Sequence, residues 1–307
     1  MSQRRLPRTL LALLLLAASA GVVRAAADAA GERADVMQWR ALRQAALTSD
    51  SGWLTLAGLL WLSEGRNSFG RASDNALVLD HPALAARAGT FEVSGAHVRF
   101  VSAPGAKVTH DGDEVSELEL RVDTQGEPTV LASGPLRFFV IERGGQFAVR
   151  VRDLDSRHRK DFRGLDYFPI DPAWALEARF EPYQPARRLK IVNVLGMEVD
   201  EVSPGAVVFE KDGGEWRLDT VLEQPQATEL FIMFADATSG RETYGGGRFL
   251  YIPLPVGNHA RLDFNKAENP PCALNDFATC PLPPPQNRLK LRVAAGEQTY
   301  RGGQHGS

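Results

Sequence analysis

The chain has 307 residues, of which 44% are hydrophobic, with 35 basic and 38 acidic side chains. This length is sufficient for one large β domain or two smaller ones, each with its own core. Residues 1–25 are a predicted signal peptide, and they contain four basic and no acidic residues. Its removal would leave 31 basic and 38 acidic residues, which is a formal net charge of −7. Nucleic acid and anionic membranes both need a basic face, so neither is expected to be the main partner.

Residues 1–25 have the features of a secretory signal peptide. Three arginines precede an apolar run from Leu10 to Val23, and small residues follow at the exit. That run is too short to cross a bilayer as a helix, and no later segment is long and apolar enough. We therefore predict export to the periplasm or the cell exterior, by the general or the twin-arginine route, with no membrane span in the mature chain.

An amphipathic helix is predicted over residues 33–49. Val36, Trp39, Leu42 and Ala46 recur at steps of three and four residues, which places them on one face of a helix. This face is expected to pack on the β structure that follows.

Residues 50–155 predict a first, sandwich-like β unit. The apolar run WLTLAGLLWL at 53–62 fits either a buried strand or a buried helical turn. Short strand patterns follow, separated by the dipeptides that two-residue hairpins require. These dipeptides are Ser-Gly at 94–95, Asp-Gly at 111–112 and Gly-Gly at 144–145.

A second β unit, either a barrel or a sandwich, is predicted over residues 187–301. A proline-containing connection at 156–186 precedes it, and a disordered tail at 302–307 follows it. Strand patterns resume after the connection, with another hairpin turn at 212–214. The whole chain is therefore predicted to be mainly β.

The segment FNKAENPPCALNDFATCPLPPPQNR, residues 264–288, is too irregular to be a strand or a helix. It contains the two cysteines of the chain, Cys272 and Cys280. In an exported chain, thiols eight positions apart are expected to pair, so we predict a disulfide that staples this segment. Zinc is the alternative, but it needs two further ligands and only His259 is near in sequence. No metal site is therefore predicted.

Four stretches together resemble the bacterial and archaeal family named domain of unknown function 1684. They are GWLTLAGLLWLSEGRNSFG at 52–70, TYGGGRFLY at 243–251, LDFNKAENPPCALNDFATCPLPPPQNRL at 262–289 and AAGEQTY at 294–300. The resemblance extends from about Trp39 to Tyr300. It implies that these segments form one recurrent structure, and it carries no activity over to this chain.

A weaker resemblance concerns the first β unit. GRNSFGRASDNALVLD, at 65–80, is similar to the opening of a forkhead-associated domain, which is a β sandwich that reads phosphothreonine. The Ser-x-x-His of that family is absent, and His-Pro-Ala-Leu stands at 81–84 instead. The resemblance therefore implies a sandwich shape without phosphopeptide binding.

Two clusters are candidates for a ligand site. Three glycines between Tyr244 and Arg248 would let the backbone of this loop approach an anionic ligand, which Arg248 would bind. Alternatively, the glycines form a bulge and Arg248 pairs with a structural acid. Asp263 and Asn265 lie on one face of a strand, where they would hydrogen-bond a sugar or peptide, or else cap the backbone of the irregular segment.

Two functional hypotheses remain open at this stage. The first is a non-catalytic module of the cell envelope that binds a small polar or carbohydrate ligand, or a protein partner, through these residues. The second is a hydrolase in which Asp263 and Glu297 act as paired carboxylates. Nucleophile and zinc-enzyme motifs are missing from the sequence, and no cofactor is predicted.

Overall fold

The computed structural model describes residues 29–302. The predicted signal peptide at 1–25 and residues 303–307 of the predicted tail lie outside this part of the chain. The first element, α1, is helical through residues 29–48, which agrees with the predicted helix.

The buried face of α1 differs from the predicted one. Val36 and Leu47 are buried, but Leu42 is 63% exposed. The face that packs on the body instead carries Arg40 and Arg43, at steps of three and four residues between these two apolar positions. A pattern of apolar residues alone missed this face, because two of its inward-pointing side chains are charged.

The first β unit contains eleven strands in two sheets. The strands are β1 (Leu56–Trp61), β2 (Gly65–Gly70), β3 (Leu77–Val78), β4 (Gly89–Ser94), β5 (His97–Ser102), β6 (Thr109–His110), β7 (Asp113–Glu114), β8 (Glu117–Leu120), β9 (Leu131–Ser133), β10 (Leu136–Arg143) and β11 (Gln146–Asp153). One sheet has the order β1-β11-β10-β9-β6-β7 and the other β3-β2-β4-β5-β8. A core of phenylalanines and aliphatic side chains from both sheets makes this unit a sandwich.

The hairpin turns form where the dipeptides predicted them. Asp111 and Gly112 both have positive φ, of 51° and 95°, and join β6 to β7. Gly144 and Gly145 likewise connect β10 to β11. The run at 53–62 combines both alternatives, because a 3-10 turn at Trp53–Thr55 leads directly into β1.

The second β unit contains six strands. They are β12 (Ala175–Val192), β13 (Glu198–Lys211), β14 (Gly214–Asp219), β15 (Glu229–Phe234), β16 (Arg248–Pro253) and β17 (His259–Asp263). Four of them form a sheet of order β14-β13-β12-β17, and β15 pairs with β16. The short helix α2 (Arg157–Lys160) and a 3-10 turn at Pro172–Trp174 precede this unit. Strand β12 therefore begins inside the stretch that was predicted to be a connection.

The irregular segment covers this second unit through short 3-10 turns. They lie at Phe264–Lys266, Pro271–Ala273 and Pro285–Asn287. Asn287 is fully buried, and its side chain donates to the carbonyls of Asp219 at 2.9 Å and Met233 at 2.8 Å. It also accepts from the Asp219 amide at 2.7 Å. The Asn287 side chain thus satisfies backbone groups of β14 and β15 and joins the irregular segment to these strands.

Within residues 29–302, no helix is both long and apolar enough to cross a membrane.

Candidate functional site

Arg248, predicted to bind a ligand, lies in the interior. Its side chain has no exposed surface. The guanidinium donates to the carbonyl oxygens of Ala295 and Val293, the latter at 2.9 Å, and pairs with Asp236 Oδ1 at 3.3 Å. This geometry closes Arg248 to a ligand and corrects the prediction, because the fold itself uses the cation.

The glycines before Arg248 serve close packing. Gly247 has a φ of 89°, and a Cβ there would lie 2.6 Å from the Phe234 carbonyl oxygen and 2.6 Å from Pro283. Tyr244 is half-buried, and burial raises the pKa of its hydroxyl, as do the nearby Cys272 and Cys280. Tyr244 therefore lies beside the cysteine loop, where its part in binding stays a prediction.

Asp263 and Asn265 act together as a turn. Asp263 Oδ1 accepts from the backbone and side-chain nitrogens of Asn265, at 3.0 Å and 2.9 Å. Asn265, which is buried, exchanges two further hydrogen bonds with the backbone of Asp171. This is the backbone-capping alternative that the sequence left open.

Glu297, the other half of the predicted carboxylate pair, is fully buried. It accepts from the Asn269 amide at 2.7 Å and from Arg43 Nε at 3.1 Å. Burial raises the pKa of Glu297. With one carboxylate enclosed and the other capping a turn, the geometry does not provide a catalytic pair.

The predicted disulfide is not confirmed. The sulfur atoms of Cys272 and Cys280 are 2.6 Å apart, beyond the roughly 2.05 Å of an S–S bond, and both thiols are free. Each backbone N–H donates to the other cysteine's sulfur, at 3.1 Å and 3.3 Å. Hydrogen bonds hold the loop in place instead, including one from the Asn275 side chain to the Trp53 carbonyl at 3.2 Å.

A cleft that runs between the two β units, and continues between α1 and the second unit, is the strongest candidate for a binding site. It consists of three neighbouring cavities of about 580, 260 and 410 Å³, which we call the hairpin, central and helix cavities. The central cavity shares Glu223 and Phe231 with the hairpin cavity, and Tyr251 and Glu268 with the helix cavity. The cavities are therefore contiguous, and the central one lies between the other two.

Arg150 forms the cationic end of the central cavity. It lies on β11, whose residues 148–151 are all buried, and only 4% of its surface is exposed. Its Nη2 lies 3.4 Å from Thr279 Oγ1, its Nε has no hydrogen-bond partner, and its guanidinium stands 5.7 Å from the Trp53 ring. Within the described residues no carboxylate pairs with it. Burial, with the nearby Arg143, lowers the pKa of Arg150 to about 10, so the group is still a cation at neutral pH.

Glu268 and Glu223 also line the central cavity and interact electrostatically with each other; we call them its acidic end. The backbone of Glu268 exchanges two hydrogen bonds with Phe249 of β16, and its carboxylate is 3.4 Å from Arg43. Arg43 lies closer to Glu297, however, so one guanidinium serves two carboxylates. Burial raises the pKa of Glu268 to about 7, and burial together with Glu201 raises that of Glu223.

Aromatic rings line the cavity between these charges. Phe231 stacks on Tyr251, with centroids 4.9 Å apart and planes 19° apart, and meets Phe249 edge-on at 4.8 Å. Tyr251 keeps 36% of its surface exposed. The cavity thus offers a flat apolar wall that suits a ligand with an apolar body.

Sequence reasoning missed Arg150, Arg43 and Glu268. Arg150 reads as an ordinary outward-facing position, because it alternates with Val149 and Val151 along a strand. The sequence feature that could have indicated a cationic site is the series Arg143, Arg150 and Arg152 around a tight hairpin. Among residues 29–302, no group of three or more histidines, cysteines or carboxylates is arranged to hold a metal ion.

Fold and cleft together define a mainly β protein with a charged groove between two β units. The family model described as "Protein of unknown function (DUF1684)" matches residues 160–298, and the chain belongs to this family. An uncharacterized protein of Haloarcula marismortui, solved in solution by NMR, is 33% identical over 46% of this chain and 79% of that one, with a TM-score of 0.40. The search of curated proteins gave no match.

Proposed function

We propose that the protein is a non-catalytic module that binds a small polar ligand through an anionic group in the central cavity. The observation that carries this proposal is Arg150, a buried guanidinium that lines a cavity and has no carboxylate partner among residues 29–302. Removing a cation from water costs several kcal/mol unless a charge compensates it. A carboxylate or phosphate on a ligand supplies that charge.

The surroundings of Arg150 favour a ligand over a structural partner. Arg143, the nearest other guanidinium in the cavity, is already paired with Asp123 at 2.7 Å. Thr279 offers a hydroxyl beside Arg150, and Trp53 offers a ring face. Such a combination of one free cation, one hydroxyl and apolar walls is typical of a small-molecule site.

The hydrolase hypothesis has less support. Asp263 and Glu297 are both engaged by the fold. The predicted export from residues 1–25 extends the proposal: a module with this cleft would act in the periplasm or outside the cell, as part of the cell envelope. N-terminal sequencing of the protein recovered from the periplasm or medium would test cleavage near residue 25.

A direct test uses two aromatic anions, 4-methylbenzoate and phenyl phosphate, titrated into the protein and followed by NMR. We expect at least one to bind, and Arg150→Met to weaken binding about tenfold or more, since hydrogen bonds to a charged group contribute about 1.5–3 kcal/mol. Arg137→Met is the matched control. Arg137 lies on neighbouring β10, lines none of the three cavities, and donates to the Gly134 and Leu136 carbonyls.

Two outcomes would overturn the proposal. One is the absence of binding by either anion at millimolar concentration. The other is binding that Arg150→Met and Arg137→Met weaken equally, because the cavity would then have no special role.

A further inference from the structure

The acidic end of the central cavity has more negative charge than its own cations balance. Arg43 is shared between Glu297 at 3.1 Å and Glu268 at 3.4 Å. Glu223 lines the same cavity, and within residues 29–302 it forms no ion pair. Arg43 therefore serves two carboxylates, and a third carboxylate, Glu223, has no ion-pair partner in the described part of the chain.

Arg150 and Glu268 have different charged neighbours. The charged neighbours that act most strongly on Arg150 are Arg143, Asp123 and Arg152. Those that act most strongly on Glu268 are Arg43, Glu297, Glu223 and Glu229. Neither group is among the main charged neighbours of the other, and both line one cavity of about 260 Å³.

An excess of carboxylates is not by itself a site, but here a second observation is independent of it. Arg150 is buried, lacks an ion-pair partner and lines the same cavity. A metal ion would neutralise the acidic end, but no described group of three or more ligands is arranged to hold one. It would also leave Arg150 without an anion.

We propose that the ligand is a zwitterion, with an anionic group on Arg150, a cationic amine at Glu268 and Glu223, and an apolar body against Phe231 and Tyr251. This inference rests on the proposed function, because it takes the anion site at Arg150 as given. It deepens that function by naming the ligand class: amino acids or short peptides whose two charges stand at opposite ends of an apolar portion. Each end of the cavity then receives the charge it lacks, and the stacked rings receive the apolar body.

Three probes of matched shape separate the two charges. They are 4-(aminomethyl)benzoate, which has both charges; 4-methylbenzoate, which lacks the amine; and 4-methylbenzylamine, which lacks the carboxylate. At pH 8 we expect wild type to bind the first about tenfold or more tightly than either of the others. The measurement is NMR or calorimetric titration of the full chain.

Variants at Glu223 and Glu268 test whether these carboxylates cause the tighter binding of 4-(aminomethyl)benzoate. In Glu223→Gln/Glu268→Gln, 4-(aminomethyl)benzoate should bind no more tightly than 4-methylbenzoate, while binding of 4-methylbenzoate is unchanged or stronger because repulsion is lost. Glu127→Gln, at an exposed carboxylate outside the three cavities, is the control and should behave as wild type. Circular dichroism establishes that each variant is folded.

The advantage of the zwitterion should also depend on pH. Glu268 faces Arg43 from α1, Glu229 from β15 and Tyr251 from β16, with Glu223 and Glu297 from the adjoining loops. Burial raises its pKa to about 7, so lowering the pH from 8 to 6 protonates it and removes the attraction for the amine. We expect most of the tenfold advantage to disappear over this range.

The two proposals fail in different ways. If 4-methylbenzoate binds through Arg150 but the amine adds nothing at pH 8, the zwitterion is excluded and the anion site stands. Equal weakening of all three probes by Glu223→Gln/Glu268→Gln would give those carboxylates a structural role, which also overturns the inference. Absence of binding by every anionic probe removes both proposals.

Discussion

Arg248 and Arg150 both place a guanidinium in the interior, but the groups around them differ. Arg248 has a carboxylate, Asp236, and backbone carbonyls as acceptors. Arg150 has one hydroxyl at 3.4 Å and no carboxylate within the described chain. The first is enclosed by Asp236 and the backbone of residues 293–295, whereas the second lines a cavity.

This difference distinguishes an arginine whose charge is balanced within the fold from one for which we propose a ligand. Asp236 is itself well bonded, because it also accepts from the Val293 amide at 2.8 Å and the Thr238 hydroxyl. The Nε atoms of both arginines have no partner among the described residues, so the two groups differ in their terminal nitrogens and in the carboxylate. In the second region no carboxylate of residues 29–302 pairs with the guanidinium, and on our proposal a ligand supplies the compensating charge. Burial alone, therefore, does not tell whether an arginine is structural; the inventory of its acceptors does.

The largest expected effect comes from breaking the satisfied region. Arg248→Met leaves Asp236 buried without its cation and frees the Ala295 and Val293 carbonyls, which should cost about 3–5 kcal/mol of unfolding free energy. Urea denaturation measures it. Arg292→Met is the control: its pair with Glu242 has 57% and 37% of the side chains exposed, so it should cost below about 1 kcal/mol. Equal losses in the two variants would show that the buried network is not important for stability.

Asn287 belongs with Arg248 in this comparison, because its side chain is buried and fully bonded. Asn287→Ala removes three hydrogen bonds, of 2.7–2.9 Å, that join the proline-rich segment to β14 and β15. Buried partners left without a bond should lower the unfolding free energy by about 3 kcal/mol. The neighbouring Gln286 is exposed and donates only to Asp219, at 3.0 Å, so Gln286→Ala should cost below about 1 kcal/mol. A small effect of Asn287→Ala would mean that water replaces these bonds.

Much of the fold followed from local sequence, because its causes are local. The Asp-Gly and Gly-Gly pairs at 111–112 and 144–145 produced hairpins, since few other residues accept the positive φ that such turns require. The asparagines of the irregular segment cap the backbone, as residues of this type do wherever a ladder is missing. The mainly β class was thereby predictable without any knowledge of long-range contacts.

The cleft could not be predicted in this way, because its parts meet only through the tertiary fold. Arg43 contacts Glu297 across 254 positions of sequence, and Arg150 contacts Thr279 across 129. Strand alternation places Arg150 opposite the apolar core, but it does not reveal that a second β unit covers that face. The same limit applies to Arg248, which pairs with a structural acid, Asp236, twelve positions away in sequence.

Glu268 should give the protein a pH-dependent stability. Its pKa is raised to about 7 by burial, so the folded state holds a proton that the unfolded state releases near pH 4.5. The contribution of Glu268 to the unfolding free energy should therefore be fully present below pH 4.5. It should fall by on the order of 2–3 kcal/mol as the pH rises through about 7, and stay constant above that. Glu268→Gln cannot ionise, so the difference between its unfolding free energy and that of wild type across pH 4–8 isolates this group. A constant difference would contradict the raised pKa.

The smallest expected effect is the one that most sharply distinguishes the two arginines. If Arg150 is retained for a ligand, its uncompensated charge weakens the empty protein, and Arg150→Met should leave the unfolding free energy unchanged or raise it by about 1 kcal/mol. Arg137→Met controls for the same chemical change on an adjacent strand and should not stabilise. A loss of several kcal/mol in Arg150→Met would mean that the fold depends on this cation as it does on Arg248. Neutral or increased stability together with lost anion binding is the combination expected of a binding residue, because only a ligand would then explain why a charge stands in that cavity.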